Sequence, residues 1–407
     1  MKCGLLGRKL GHSYSPQIHS RLADYLYVLF EKEPDELEVF LRNGDFTGIN
    51  VTAPYKKDVI PFLDELTPVA KRLGAVNTIV RRGNRLIGHN TDYFGFLTMV
   101  RATGLDVARK KVLVLGSGGA SNTAVAVLNE LDANVVVISR RGENHYGNLD
   151  RHSDAALIVN TTPVGMYPNT EVSPIDLSRF SCLEGVLDVI YNPARTMLLR
   201  QAEALGLPTM NGLLMLVAQA KEASEWFSGS QIHDSVIPAI HRELRNQMEN
   251  IILIGMPGCG KSTLGQELAK RTGKRFVDAD SIIEETAGKR IPEIFAQDGE
   301  EAFRKLETTV LEELGKQSGL IIATGGGCVT RERNYSLLHR NGSMFWIHRD
   351  LLKLPTAGRP LSQTNDLETM YSIRKSMYEA FADFTVDNNG DLLSTADEIL
   401  RIWEEMP

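Results

Sequence analysis

The stretch Gly255-Met-Pro-Gly258-Cys259-Gly260-Lys261-Ser262 is a complete GxxxxGK[ST] phosphate loop, set between the apolar strand NIILI and the helical TLGQELAKRTG. Glycine at these positions lets successive backbone N–H groups turn inward around a phosphate, and the helix N-terminus that follows favours negative charge. Gly258, Cys259, Gly260 and Thr263 complete the cradle. Lys261 would neutralise the β- and γ-phosphates of ATP, and Ser262 would hold Mg²⁺. A second glycine turn, Gly116-Ser117-Gly118-Gly119-Ala120-Ser121, follows the strand KVLVL and has the form of a dinucleotide-binding turn. Ser121 stands where that fingerprint carries Gly or Ala. About twenty residues on, the next strand ends in Ser139-Arg140-Arg141. An NAD enzyme would place Asp or Glu there for the ribose hydroxyls; arginine instead matches a 2′-phosphate, so NADP is favoured over NAD.

These loops need strands to carry them. Short β-rich runs alternate with helical segments, the pattern of parallel α/β sheets. The strands expected are Val112–Leu115, Asn134–Ser139, Ala156–Asn160, Gly185–Val189, Ile251–Ile254 and Leu320–Ala323, most of them ending near Gly, Ser or Asn, where α/β enzymes bind ligands. With 407 residues the chain exceeds what one hydrophobic core serves, so two or three domains are expected. The charged run His241–Asn250 is the boundary between them, which gives domains at 1–100, 101–247 and 248–407. A net charge of −6 argues against a nucleic-acid partner. Cys3, Cys182, Cys259 and Cys328 show no metal-ligand spacing and suit a reducing compartment. The N-terminal apolar stretch is too short for a signal peptide, and no apolar run is long enough to span a membrane. A cytoplasmic location is expected.

The phosphate loop alone does not name the acceptor. Behind it come Asp278-Ala-Asp280, Phe303-Arg304, Thr324-Gly325-Gly326-Gly327, Arg359-Pro360-Leu361, and Arg374 four residues before Tyr378. This ordered set resembles shikimate kinase over essentially all of Asn250–Pro407. The resemblance implies that Asp280 holds the reacting ring hydroxyl, where a carboxylate can serve as base. Arg304 and Arg374 would grip the substrate carboxylate, with Gly326 and Gly327 letting the backbone approach the ring. Arg359 would come from a lid and stabilise charge on the phosphoryl group, and Asp278 would help hold Mg²⁺. The residue types suit that chemistry. A carboxylate matches arginine's bidentate fork, and phosphoryl transfer needs chiefly positioning and cations.

Upstream lie Ser13-Tyr-Ser15-Pro16, Asn50-Val-Thr52-Ala-Pro54-Tyr-Lys56, Ala75-Val-Asn77-Thr78 and Asn90-Thr91-Asp92, and downstream Asn211-Gly212 and Val217-Ala218-Gln219-Ala220. Together these resemble shikimate dehydrogenase over roughly Lys2–Arg245. The resemblance implies that Ser13 and Ser15 bind the substrate carboxylate and that Thr52, Asn77 and Gln219 bind ring hydroxyls. Lys56 and Asp92 would be the catalytic pair, since reducing a ketone requires a donor at the oxygen that gains charge. Tyr191 and Gly212 would line the substrate cleft, and Thr161, within Asn160-Thr161-Thr162-Pro163, would flank the nicotinamide with Gly165-Met166. One departure concerns the element after β-strand Asn134–Ser139: Gly142–Asp154 is too short for the usual strand and helix, leaving the adenosine side of the cofactor open.

The expected fold is therefore α/β: a shikimate dehydrogenase-like two-lobe unit, with a substrate lobe and a Rossmann NADP lobe, then a P-loop kinase domain with a parallel sheet. The two resemblances imply consecutive steps of the shikimate pathway: 3-dehydroshikimate reduced by NADPH, then shikimate phosphorylated by ATP with Mg²⁺. The alternative is an NAD(P)-dependent quinate/shikimate dehydrogenase carrying a regulatory, non-catalytic ATP-binding domain. The partners expected are the two small acids, with no nucleic acid and no membrane; the oligomeric state stays open.

Overall fold

Apolar runs bounded by turn residues become the strands of three sheets. The computed structural model describes residues 1–11, 13–354 and 367–406. It divides the chain into two units, Met1–Glu243 and Leu244–Pro407. The division falls inside the helix Val236–Met248, whereas the charge pattern puts it at 247/248. The last turn of that helix is tied to the second unit: Arg245 donates to the Met406 carbonyl, and Met248 O accepts from Gly319 N at 2.8 Å.

The first unit opens with six strands: β1 (Lys2–Gly7), β2 (Leu26–Glu31), β3 (Gly48–Val51), β4 (Glu65–Leu66), β5 (Thr78–Arg82) and β6 (Arg85–His89), in the order β2-β1-β3-β5-β6-β4. Alternation of elements suggests parallel sheets throughout, but this sheet is mixed: β5 runs antiparallel to both β3 and β6. For the pair β5 and β6 the reason is local. Gly83, at φ +61, supplies the left-handed backbone that a two-residue hairpin turn requires.

The second sheet of this unit is wholly parallel and holds β7 (Lys111–Leu115), β8 (Asn134–Ile138), β9 (Leu157–Asn160), β10 (Gly185–Asp188) and β11 (Thr209–Met210), ordered β11-β10-β9-β7-β8. Its central strands β7 and β9 are apolar along most of their length because both faces are covered: Val112, Val114 and Val159 pack on one side, Leu113, Leu115 and Ile158 on the other. Between β8 and β9 there is no further strand or α-helix, only the 3₁₀ stretch Tyr146–His152, tied back by a bridge between Ser139 and His145. β8 is therefore the edge of the sheet. The helix Leu213–Ser228 returns against the helix Asp92–Ala102, and a side chain at Gly95 would come within 2.7 Å of the Met215 carbonyl.

The second unit has one sheet, also parallel: β12 (Asn250–Ile254), β13 (Arg275–Asp278), β14 (Leu320–Ala323), β15 (Gly342–His348) and β16 (Phe384–Asp387), ordered β13-β14-β12-β15-β16. β12 and its neighbour β14 feed the phosphate loop and the triple-glycine run, and β13 ends on Asp278. Three ligand loops thus issue from adjacent C-terminal strand ends, where open α/β sheets bind ligands. The six strands expected from sequence form here within one residue at each end. Among the described residues no helix is long and apolar enough to cross a membrane.

Candidate active sites

In the first unit a cleft of about 300 Å³ brings together Ser13, Ser15, Thr52, Lys56, Asn77, Asp92, Ala120, Tyr191, Gly212 and Gln219, contributed by segments as far apart as β1 and the returning helix. Lys56 Nζ donates to Asp92 Oδ2 at 2.5 Å. The other carboxylate oxygen, Oδ1, accepts from Asn77 Nδ2 at 2.9 Å. Asp92 begins the helix Asp92–Ala102, where the helix dipole favours a negative charge, and its own N–H donates to Asn90 Oδ1 at 3.1 Å. The lysine amine is thus aimed by a carboxylate that is itself fixed from two sides.

Asn77 is buried and anchors the floor through its amide, accepting from Thr91 N at 2.7 Å. Gln219 Oε1 accepts from the Thr91 hydroxyl at 3.4 Å. Ser13 Oγ accepts from Ser15 N at 3.2 Å, which presents two hydroxyls at one end of the cleft. Tyr191 meets Tyr14 edge to face, with ring centroids 6.2 Å apart, and burial raises both phenols above their usual range. Gly212 has a steric reason to be glycine: a side chain there would begin 2.0 Å from the Val189 carbonyl.

The dinucleotide turn follows β7. Gly116 takes φ +108, and its close neighbour is Thr161, whose hydroxyl lies 2.9 Å from where a side chain would begin. Side chains on Gly118 and Gly119 would meet open space, so the N-terminus of the helix Gly119–Glu130 is clear for a diphosphate to approach. Ser117 borders a neighbouring groove, and Ser139 turns its hydroxyl onto the Arg141 carbonyl. Arg140 and Arg141 are exposed, and neither has an ion pair among the described residues. Two unengaged guanidinium groups beside a clear helix terminus fit the diphosphate and 2′-phosphate of NADP.

The second unit holds a cleft of about 720 Å³ that gathers Gly258, Gly260, Lys261, Ser262, Thr263, Asp278, Asp280, Arg304, Gly326, Gly327 and Arg374. Gly255, Gly258 and Gly260 have φ of +143, +85 and +103, which turns the loop's N–H groups inward. Lys261 Nζ donates to Gly255 O at 2.9 Å and Met256 O at 3.0 Å, holding its charge at the loop's centre. Cys259 turns its side chain into the core, and its carbonyl accepts from Asn388 Nδ2 at 2.7 Å, so only its backbone serves the cradle. Ser262 Oγ donates to Asp278 Oδ2 at 2.6 Å. That hydroxyl–carboxylate pair beside the loop is the donor set expected of a Mg²⁺ shared with phosphates. Asp278 is also the cap of the next helix, accepting from Asp280 N at 3.1 Å.

Asp280 stands beside the triple-glycine run. Its pKa is pushed up to about 6, chiefly by burial and then by repulsion from Asp278, while Lys261 pulls the other way. Arg304 is buried; it donates to Glu307 at 2.8 Å and to Glu300 at 3.2 Å. Arg374 and Tyr378 both donate to the Gly326 carbonyl, the former at 3.1 Å. A side chain on Gly327 would strike the Arg304 guanidinium at 2.3 Å, and one on Gly325 would lie 2.7 Å from Asp280 Oδ1 and 2.8 Å from Glu307 Oε1. The glycines keep the floor flat. Arg359, with Pro360 and Leu361, lies outside the described residues.

Three further residues belong to these sites. Asn50 and Tyr14 line the first cleft, and Asn50 Oδ1 accepts from Tyr27 at 2.8 Å. Glu307 lies fully buried in the second cleft, and burial raises its carboxyl despite the opposing pull of Arg304. Its signal in sequence was an acid three residues after Arg304, the spacing of a helical ion pair.

Comparison with known proteins divides the chain in the same way. Residues 5–79 match the family model of the shikimate dehydrogenase substrate binding domain, and residues 257–404 that of shikimate kinase. A shikimate dehydrogenase (NADP(+)) of Clostridium perfringens strain SM101 is 36% identical over 264 residues, spanning 60% of this chain and 97% of that protein. Shikimate dehydrogenase 1 of Peptoclostridium difficile superposes with a TM-score of 0.56 at 37% identity, over 60% of this chain and 97% of its own. The shikimate 5-dehydrogenase of Thermus thermophilus, solved with NADP(H) and shikimate, gives 0.54 at 30% identity, over 60% and 99%.

Proposed function

From a chain that belongs to the shikimate dehydrogenase family and carries a shikimate kinase domain behind it, we infer a bifunctional enzyme of aromatic amino-acid biosynthesis. It reduces 3-dehydroshikimate to shikimate with NADPH and phosphorylates shikimate to shikimate 3-phosphate with ATP. The observation that carries this reading is the presence of two separate clefts, one holding a Lys–Asp pair and the other a phosphate loop beside an aspartate.

When bound, NADPH supplies the hydride and ATP with Mg²⁺ supplies the phosphoryl group. The chain's own residues do the rest. Ser13 and Ser15 hold the substrate carboxylate, and Thr52, Asn77 and Gln219 hold its ring hydroxyls. Lys56 gives a proton to the carbonyl oxygen as it becomes a hydroxyl, and Asp92 keeps the amine on that line. Gly116 to Ala120, with Thr161, cradle the dinucleotide, and Ser139, Arg140 and Arg141 receive its 2′-phosphate end. In the second cleft Arg304 and Arg374 grip the carboxylate of shikimate, Gly326 and Gly327 admit the ring, and Asp280 orients the hydroxyl that is phosphorylated. Lys261 and Arg359 offset phosphate charge, and Ser262 and Asp278 hold the metal. Three of the four thiols are buried and none is paired, in keeping with a cytoplasmic enzyme.

The test is a one-pot product analysis by mass with 3-dehydroshikimate, NADPH, ATP and Mg²⁺. Shikimate 3-phosphate is expected only when both cofactors are present. Accumulation of shikimate with ATP and Mg²⁺ present would remove the kinase assignment, and no turnover would remove both.

A further inference from the structure

Asp188 ends β10 fully buried, outside the set of residues that face the substrate. Its two carboxylate oxygens collect three hydrogen bonds, two from the loop that follows β10 and one from the neighbouring strand. Oδ1 accepts from Ile190 N at 3.0 Å and from Asn160 Nδ2 at 3.1 Å, and Oδ2 accepts from Thr196 Oγ1 at 2.8 Å. Ile190 and Thr196 are the two ends of the loop 190–196, so one side chain pins both feet of the segment that carries Tyr191 into the cleft. Gly212 N holds the same loop from outside, donating to Ile190 O at 3.0 Å.

The third bond reaches the neighbouring strand. Asn160, also fully buried, ends β9 and accepts through its own Oδ1 from Thr162 N at 3.0 Å and Thr162 Oγ1 at 2.7 Å. It thereby fixes the loop 161–165, whose first residue, Thr161, donates from its hydroxyl to Leu115 O at 2.6 Å, beside the glycine turn. β7 and β9 are adjacent while β8 lies on the far side of β7, so this loop stands where the strand order reverses. One buried carboxylate therefore joins a segment on the cofactor side to a segment on the substrate side.

We propose that Asp188 is a positioning residue of the dehydrogenase: it holds the loops 161–165 and 190–196 in one fixed relation, so that Thr161 and Tyr191 face their ligands together. The inference rests on the dehydrogenase reading. It asks for a carboxylate specifically. An amide at this place keeps one acceptor oxygen but puts a donor where the second stood, so the Asn160, Ile190 and Thr196 donors can no longer all be met as they are.

The test compares the full-length parent with Asp188→Asn and the milder Thr196→Val, which removes a single bond of the set. Hydrogen exchange followed by mass spectrometry, on the chain without cofactors, should find both loops losing protection together in Asp188→Asn, with β7 and β9 unchanged. Saturating kcat for reduction should fall about 10- to 100-fold, as expected for reacting groups displaced by about 1 Å. NADPH affinity, measured by fluorescence quenching, should weaken less than about tenfold, and phosphorylation of shikimate should match the parent. Thr196→Val should move each value the same way by a smaller factor. The proposal is overturned if only one loop responds, if protection is lost across the whole sheet, or if kcat stays within about twofold of the parent while the loops open. A parent chain with no reductase activity would instead strike at the dehydrogenase reading itself; the exchange pattern would still decide whether Asp188 joins the loops.

Discussion

At the scale of single residues, an amine 2.5 Å from a carboxylate costs little to hold in place once the carboxylate is fixed by Asn77 and by a helix start. Removing Lys56 takes away the proton donor and leaves the cleft's shape. Lys56→Ala should lower the reduction rate by about 10²–10⁴-fold, the usual contribution of a positioned proton donor, with phosphorylation near normal in the same preparation. Asp280→Ala should do the reverse, and a coupled assay that reads NADPH and ATP consumption separately checks both. Glu307 acts through Arg304: a glutamine there retains shape but drops the charge that aims the guanidinium. Glu307→Gln should raise the KM for shikimate about tenfold, roughly the value of one charge-assisted hydrogen bond, with a smaller change in kcat. Lys56, Asp92, Lys261 and Asp280 were legible in the sequence because each sits in a contiguous motif. Asn50 stood in the Lys56 motif without a role of its own; Glu307 and Asp188 were not legible, because what matters about them is whom they meet: Asp188 and Asn160 are 28 residues apart and share a bond only after β9 and β10 pair.

At the scale of elements, the strand ends do the positioning, and their buried charges leave a mark on stability. Burial raises the Asp188 carboxyl to about 7, with the bonds from Ile190, Thr196 and Asn160 acting against the rise. A carboxyl raised on folding binds its proton more tightly in the folded state. Its stabilising share is complete below about pH 4, where the unfolded chain also holds the proton, and is lost as pH climbs through about 7. The first unit should therefore lose stability between about pH 4 and 7, and Asp188→Asn should flatten that slope. Calorimetry checks this, with the transition of the first unit identified by its upward shift in NADPH. The strands themselves were readable as apolar runs. The antiparallel hairpin of β5 and β6 was not anticipated, although Gly83-Asn84 between two strand-like runs is a turn signal; element alternation drew the reading toward parallel order.

At the scale of the whole molecule, two sites on one chain convert one acid in two steps, and each keeps its own cofactor chemistry. With 3-dehydroshikimate and both cofactors, one NADPH and one ATP should be consumed per shikimate 3-phosphate formed. Mixing Lys56→Ala with Asp280→Ala chains should restore the full conversion that neither performs alone, and product mass over time checks it. Failure of the mixture while each single activity persists would mean that shikimate does not pass through free solution. The order of the two domains was legible from two motif sets. Their division falls a few residues earlier than the charge pattern suggests, because a charged run marks the surface of a helix as readily as its end.

The missing strand beyond β8 has a consequence of another kind. An uncovered strand edge is a template on which a second chain can stack, and proteins guard such edges with charge and with short covering loops. Here the guard is Arg140 and Arg141 at the strand's end and the short return that pairs His145 with Ser139. On the reading that these arginines receive the cofactor's phosphate, the same two charges should also oppose self-association. Arg140→Ser with Arg141→Ser should give a chain that not only binds NADPH more weakly but clouds earlier on warming, by light scattering, and a saturating dose of NADPH should protect the parent far more than the variant.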